Sequence, residues 1–205
     1  MKIVNNNIYI SRGETPTYEA DIIDVDTGAP YIILEKVLNP TIDFVVRPSV
    51  YSRAEDSVFR AFILLTNVHK FETAEIADYE HEGVWNDDYA PSEENSKKLH
   101  RRTIVTGKGK TYEYAYYEDG KWHEYKLRLT FMFPHYITKV MEPKTYQYEI
   151  VLLGGNYKAD FGGKDISNDL DRELGTAYSE IPIDVTYDKP LLDAHDFVVG
   201  GSMSE

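Results

Sequence analysis

The sequence predicts an all-β protein: a β-sandwich of Ig-like or jelly-roll type with one long insertion and an extended C-terminal arm. Three observations lead there. Apolar residues alternate with polar ones at period two in run after run, which puts successive side chains on opposite faces of a strand. Gly, Pro, Asn and Asp punctuate those runs at intervals suited to tight turns. Seventeen Tyr and eight Phe in 205 residues favour a pleated, half-buried surface over a helix.

Taken in order, Ile8-Tyr9-Ile10 opens the first strand, and Arg12-Gly13-Glu14-Thr15 leads into a second. There Tyr18, Ala20 and Ile22 alternate with Glu19 and Asp21. Asp26-Thr27-Gly28-Ala29-Pro30 breaks the run, and Tyr31-Ile32-Ile33-Leu34 resumes as an apolar strand. Ile42, Phe44 and Val46 alternate with Asp43 and Arg47 until Pro48, which cannot donate to a ladder. Phe59, Ala61, Ile63 and Leu65 share a face opposite Arg60. Residues 67–110 read as the insertion. Its first part carries Glu72, Glu75, Asp78, Glu80, Glu82, Asp87, Asp88, Glu93 and Glu94 against Lys70 alone, with a helical turn expected near Thr73 to Tyr79. Its second part carries Lys97, Lys98, Arg101, Arg102, Lys108 and Lys110 and no acid. The two blocks can complement each other within the chain or join neighbouring copies.

Asp119-Gly120 is a strong hairpin signal, because a type I′ turn needs positive φ twice. That register sets Tyr114 opposite Tyr125, Tyr112 opposite Leu127 and Lys110 opposite Leu129. On the other face it sets Tyr117 opposite Trp122 and Glu113 opposite Lys126. Tyr146, Tyr148, Ile150 and Leu152 form the next strand, up to Gly154-Gly155. A Gly-rich loop, a short helix at Asn168 to Leu174 and a strand at Ile181, Ile183, Val185 and Tyr187 complete a single domain over 1–187. Lys189-Pro190 then ends the ladder and opens the arm, 188–205. Leu191, Leu192, Phe197, Val198 and Val199 in the arm must be buried, either on the chain's own sandwich or on a neighbouring subunit.

Several of these pieces together resemble a known module. They are Gly13-Glu14-Thr15, the strand from Thr17 to Ile22, the Asp26–Tyr31 turn with Gly28 and Pro30, the Phe44-x-Val46 strand and the closing Tyr146-Gln147-Tyr148-Glu149-Ile150 strand. They resemble the small β-sandwich at the N-termini of phage upper-baseplate and related tail proteins. The resemblance covers about half the chain, which adds long segments between and after the two halves. It implies a non-enzymatic structural subunit of a virion, of the tail or baseplate, assembled in the host cytoplasm. Its implied partners are other virion structural proteins and copies of itself. Read from the residues alone, Trp85 in the acidic stretch is the aromatic expected to be exposed, and it and the arm residues Leu191, Leu192, Phe197, Val198 and Val199 are the interface candidates.

Composition narrows the classes. A chain of this length can bury roughly 70% of its unfolded surface. The absence of Cys removes disulfides, thiolate metal sites and cysteine nucleophiles, and fits a reducing cytoplasm. A net charge of −13 argues against nucleic acid as partner, where Lys and Arg must neutralise phosphates. No apolar run is long enough for a membrane span, and Met1 to Asn7 has no signal-like segment, so neither membrane nor export is expected.

No motif carries catalysis or a cofactor. Gly107-Lys108-Gly109-Lys110-Thr111 ends like a phosphate loop, but Ile104 stands where the first Gly belongs and a strand follows instead of a helix. Asp24, Asp26, Gly28 and Glu35 mimic a calcium loop with Ala29 at the position that needs Gly. Asp165, Ser167, Asp169 and Asp171 read as a helix start. His123-Glu124 has Leu127 where a zinc helix needs its second His, and His69, His81, His100, His135 and His195 are scattered. Two alternatives of another class stand beside the structural reading: a carbohydrate-binding module for host glycans that stacks sugars on Trp85, Trp122 or the tyrosines, and a glycan-cleaving enzyme with paired carboxylates.

Overall fold

The computed structural model describes residues 2–4, 6–24, 26–53, 56–65, 67–156 and 184–201. Its strands are β1 (Lys2–Val4), β2 (Asn7–Ser11), β3 (Thr17–Asp21), β4 (Thr41–Arg47), β5 (Phe59–Leu64), β6 (Ile76–Asp78), β7 (Leu99–Thr106), β8 (Gly109–Glu118), β9 (Lys121–Glu124), β10 (Arg128–Met132), β11 (Thr145–Asn156) and β12 (Asp184–Gly200). A short α-helix, α1 (His135–Val140), lies between β10 and β11, and a single 3-10 turn spans Glu93–Asn95. The protein is all-β and sandwich-like, as the alternation predicts. The chain forms two compact units where the sequence suggests one domain with a surface insertion. The first takes Met1–Ala20, Val37–Thr66 and Leu129–Glu205; the second takes Asp21–Lys36 and Asn67–Arg128.

Among the described residues the first unit holds a six-stranded sheet in the order β1-β2-β12-β11-β4-β5 and a two-stranded ribbon, β10-β3. Leu129, Phe131 and Phe133 recur at every second residue and are buried, as is Tyr18 of β3. Their rings meet the sheet around Phe44, whose centroid lies 4.5 Å from Phe131, 5.7 Å from Tyr18, 5.6 Å from Phe133 and 5.3 Å from Tyr148. The first three pairs are tilted or edge-on and the Tyr148 pair is stacked, all within the range of favourable aromatic packing. Tyr148 donates its hydroxyl to the Asn6 carbonyl, and burial pushes its pKa up.

β4 is buried at every residue from Thr41 to Val46, and β11 and β5 pair with it on either side within the sheet. Asp43, expected on a solvated face, is 5% exposed. It takes a two-pronged bond from Arg60, at 2.9 Å from Nε and 2.6 Å from Nη2. Burial pushes the Asp43 carboxyl up, and Arg60 opposes that. The guanidinium also lies 4.6 Å over the Phe62 ring. A charge inside the sheet survives because its partner is in place and hydrogen-bonded.

The C-terminal segment corrects the sequence reading. Lys189-Pro190 does not end the ladder: β12 runs on through both and pairs with β11 from Asn156↔Asp184 to Thr145↔Val198. Pro190 is accommodated at an irregularity. Ile150 pairs with Leu192 and Val151 with Pro190, so Leu191 is the extra residue of a bulge. β2 pairs with β12 only from Phe197 to Gly200, leaving the flank of Pro190 away from the β2 ladder. The expected Asn168–Leu174 helix, the Asp165–Asp171 cluster and Ile181–Ile183 lie outside the described residues.

The second unit is a four-stranded sheet, β6-β7-β8-β9, over a core of Ala29, Phe71, Leu99, Tyr114 and Tyr125. The helical turn expected at Thr73 to Tyr79 is instead strand β6, parallel to β7, with Ile76↔Leu99 and Asp78↔Arg101. A single helical turn has no cooperative stability of its own, so a ready-made sheet edge outcompetes it. The run Tyr31–Leu34 is not a regular strand either. It makes one bridge, Leu34 to Phe71, flanked by bonds from Phe71 N to the Ile33 carbonyl and from Glu35 N to the Phe71 carbonyl, both 2.9 Å.

Candidate functional site

The second unit's sheet is built on two tight turns. Thr106-Gly107-Lys108-Gly109 closes β7 onto β8, and Asp119-Gly120 closes β8 onto β9 with φ of +51° and +78°. This is the type I′ geometry read from the sequence, and Tyr117 lies opposite Trp122 as expected. The Gly107–Thr111 stretch, which looked like a phosphate loop, is the first turn and the start of β8.

Beyond Tyr125 the expected register ends. Tyr125 N still donates to the Tyr114 carbonyl at 2.8 Å, but the Leu127 carbonyl has turned away to accept from Ile22 N at 2.7 Å. Arg128 then grips Asp21, with Nε 2.7 Å from Oδ1. Tyr112–Leu127 and Lys110–Leu129 therefore do not pair, because β10 joins β3 instead. Glu113 pairs with Arg102, its neighbour on β7, and Lys126 pairs with Glu124. Pairing with the nearer partner costs less side-chain ordering than reaching across a splayed strand.

The splay opens a groove of about 280 Å³, lined among others by Ile22, Ile23, Pro30, Tyr112, Tyr114 and Leu127. Tyr112 is 49% exposed, and Arg101 lies 5.2 Å over its ring. Tyr125 at the back donates its hydroxyl to the Tyr31 carbonyl at 2.9 Å, and burial pushes its pKa up to about 12. The carboxylates at the rim, Asp21, Glu113 and Glu124, are each held by Arg or Lys. The groove is thus mixed in lining, with Ile22, Ile23, Pro30 and Leu127 beside tyrosines and charged groups, and electrically balanced at its edge.

Trp85 does not stand out from the surface as expected. It is half-buried, 4.6 Å from the Tyr79 ring and 4.8 Å from Trp122, with Arg102 5.7 Å over its face. Its loop is tied to the hairpin: Trp122 Nε1 donates to the Asn86 and Tyr89 carbonyls, and Trp122 N donates to Asp87 at 2.8 Å. The space bounded by Tyr79, His81, Tyr89, His100 and Trp122 encloses only about 10 Å³. Ligand sites run to roughly 300–1,000 Å³, so this aromatic cluster is packing.

The two charge blocks meet inside the chain. Lys97 pairs with Glu72, Lys98 with Glu75 at 2.9 Å and Arg101 with Asp78 at 2.7 Å, because β6 and β7 run side by side. The Asp24 carboxylate is taken up by its own turn, accepting from Asp26 N, Thr27 N and the Thr27 hydroxyl. His100 is buried against Trp122 with Nε2 2.9 Å from the Asn95 carbonyl, and burial pushes its pKa down. Of the interface candidates, Phe197 and Val199 are buried in the first unit, while Leu191, Leu192 and Val198 are half-buried along β12. The sequence reading missed the groove, since it depends on where β9 leaves β8. No protein-family model, curated protein or solved structure matches the chain.

Proposed function

We propose that this chain is a non-enzymatic structural subunit of a phage virion, belonging to the tail or baseplate. It works through contacts with other virion proteins and with copies of itself, and is assembled in the host cytoplasm. One observation carries the reading. The segments that resemble the upper-baseplate module lie far apart in the sequence, yet the Phe44-x-Val46 strand and the closing Tyr146–Ile150 strand pair directly. Tyr148 lies opposite Val46 and Ile150 opposite Phe44. Exposed apolar side chains on the first unit give such a subunit surfaces for contact. Tyr51 is 94% exposed at the β4–β5 connection, and Tyr136 and Val140 project from α1.

Disruption of the gene in the phage that carries it tests the reading. Loss of the chain should give particles with incomplete tails, restored by supplying the protein in trans. Complete, infectious particles without it would defeat the proposal. A glycan array addresses the carbohydrate-binding alternative, which requires specific sugar retention by the isolated chain.

A further inference from the structure

The open flank of β8 is a second structural feature of the groove, independent of its lining. In an antiparallel strand the N–H and C=O of one residue point to the same side, and the side alternates along the chain. Thr106 pairs with Gly109 to close one turn, so the odd-numbered residues of β8 face β7. The Tyr125 N bond to the Tyr114 carbonyl shows that the even-numbered residues face β9. β9 ends at Glu124 and the chain turns away after Tyr125. Lys110 and Tyr112 therefore present two N–H and two C=O groups on the flank away from β7, where Tyr112 borders the groove, and no strand among the described residues pairs with them. Along the same face, Val105 opposite Lys110 is 73% exposed.

We infer that this edge is a strand-addition site, where an extended, uncharged segment of a neighbouring protein pairs with Lys110 and Tyr112 and lays an apolar side chain into the groove. An open row of backbone donors and acceptors is the complement of another extended chain. The lining accepts an apolar group, and the rim charges are already paired, so a charged side chain would enter without a partner. A groove of about 280 Å³ has room for such an apolar side chain. The inference deepens the virion-subunit reading and rests on it for the source of the strand; the site itself is a property of the isolated chain.

The probe is a pool of blocked hexapeptides that alternate Thr with Val, Ile, Leu or Tyr, titrated into the isotope-labelled full chain and followed by amide NMR and hydrogen exchange. The Lys110 and Tyr112 amides should shift, and their exchange should slow by about tenfold or more at saturation. Tyr112→Pro should abolish both effects at Lys110, since it removes an outward donor and spares the ladder to β7. Tryptophan emission checks that the variant has folded; if it has not, Lys110→Pro replaces it and the Tyr112 amide is read instead. The inference is overturned if no peptide moves these amides at about 1 mM, if the response survives the folded proline variant, or if a glycan pool perturbs the groove and the peptides do not. Mass spectrometry of purified particles tests the subunit reading separately: a chain that binds peptide and is absent from particles keeps the site and loses that reading.

Discussion

Replacing Phe197 with Ala distinguishes a core residue from an interface anchor. Phe197 is fully buried, with its ring 5.2 Å from Phe133 and 6.4 Å from Tyr148. Its backbone is paired on both sides, with Tyr146 of β11 and Ile8 of β2. Removing the phenyl group forfeits about 2 kcal/mol of transfer free energy and leaves a cavity. The neighbours that would have to close it are held in hydrogen-bonded strands, so the total should be roughly 3–5 kcal/mol. With a urea slope of roughly 2 kcal/mol per molar, the unfolding midpoint should drop by about 1.5–2.5 M. Far-UV circular dichroism, or exchange of β4 and β11 amides, is the appropriate assay. Both tryptophans, Trp85 and Trp122, belong to the second unit, so their emission reports on that unit. A midpoint within about 0.3 M of wild type, together with failure to assemble, would refute the core assignment and return Phe197 to an interface.

Gly120→Val should destabilise by roughly 1–3 kcal/mol. An added Cβ meets nothing within 4 Å, so the cost is the φ of +78° alone, and Gly120→Asn should cost less; equal midpoints for Val and Asn would contradict this. Asp43→Ala should cost roughly 3 kcal/mol, because it leaves Arg60 unpaired in the sheet, and Asp43→Ala with Arg60→Met should recover most of that in a denaturation series. The stability of the second unit should fall as pH drops below about 6.5. Burial lowers the folded pKa of His69 and His100 from 6.5, so the unfolded chain takes up the protons first. Tryptophan-monitored midpoints at pH 7.5 and 5.5 test this, and His100→Asn should flatten the difference.

What the sequence revealed was local chemistry. Asp119-Gly120 specifies a turn by itself, so the hairpin, its register near the turn and the Tyr117–Trp122 pair could be read without tertiary knowledge. Pro190 shows the opposite case. A missing donor looks like the end of a strand, but whether it matters depends on which neighbour flanks it and where the ladder shifts, and both are set by β2 and β11. Asp43 sits in a correct alternating pattern, yet its burial depends on β5, which supplies Arg60. The acidic and basic blocks were legible as complements; only the parallel pairing of β6 with β7 shows which charge meets which. The groove escaped notice because it lies where the chain leaves β8 after Tyr125, and no single segment encodes that departure.

The central claim, the proposal that the chain is a built-in part of a virion, is tested most directly by quantitative mass spectrometry of gradient-purified particles released by cells that carry the gene. The account predicts this chain at a fixed copy ratio to the other tail proteins, retained through washes that strip loosely adsorbed proteins. Its recovery only in the soluble fraction of the lysate, with none in intact infectious particles, would contradict the account.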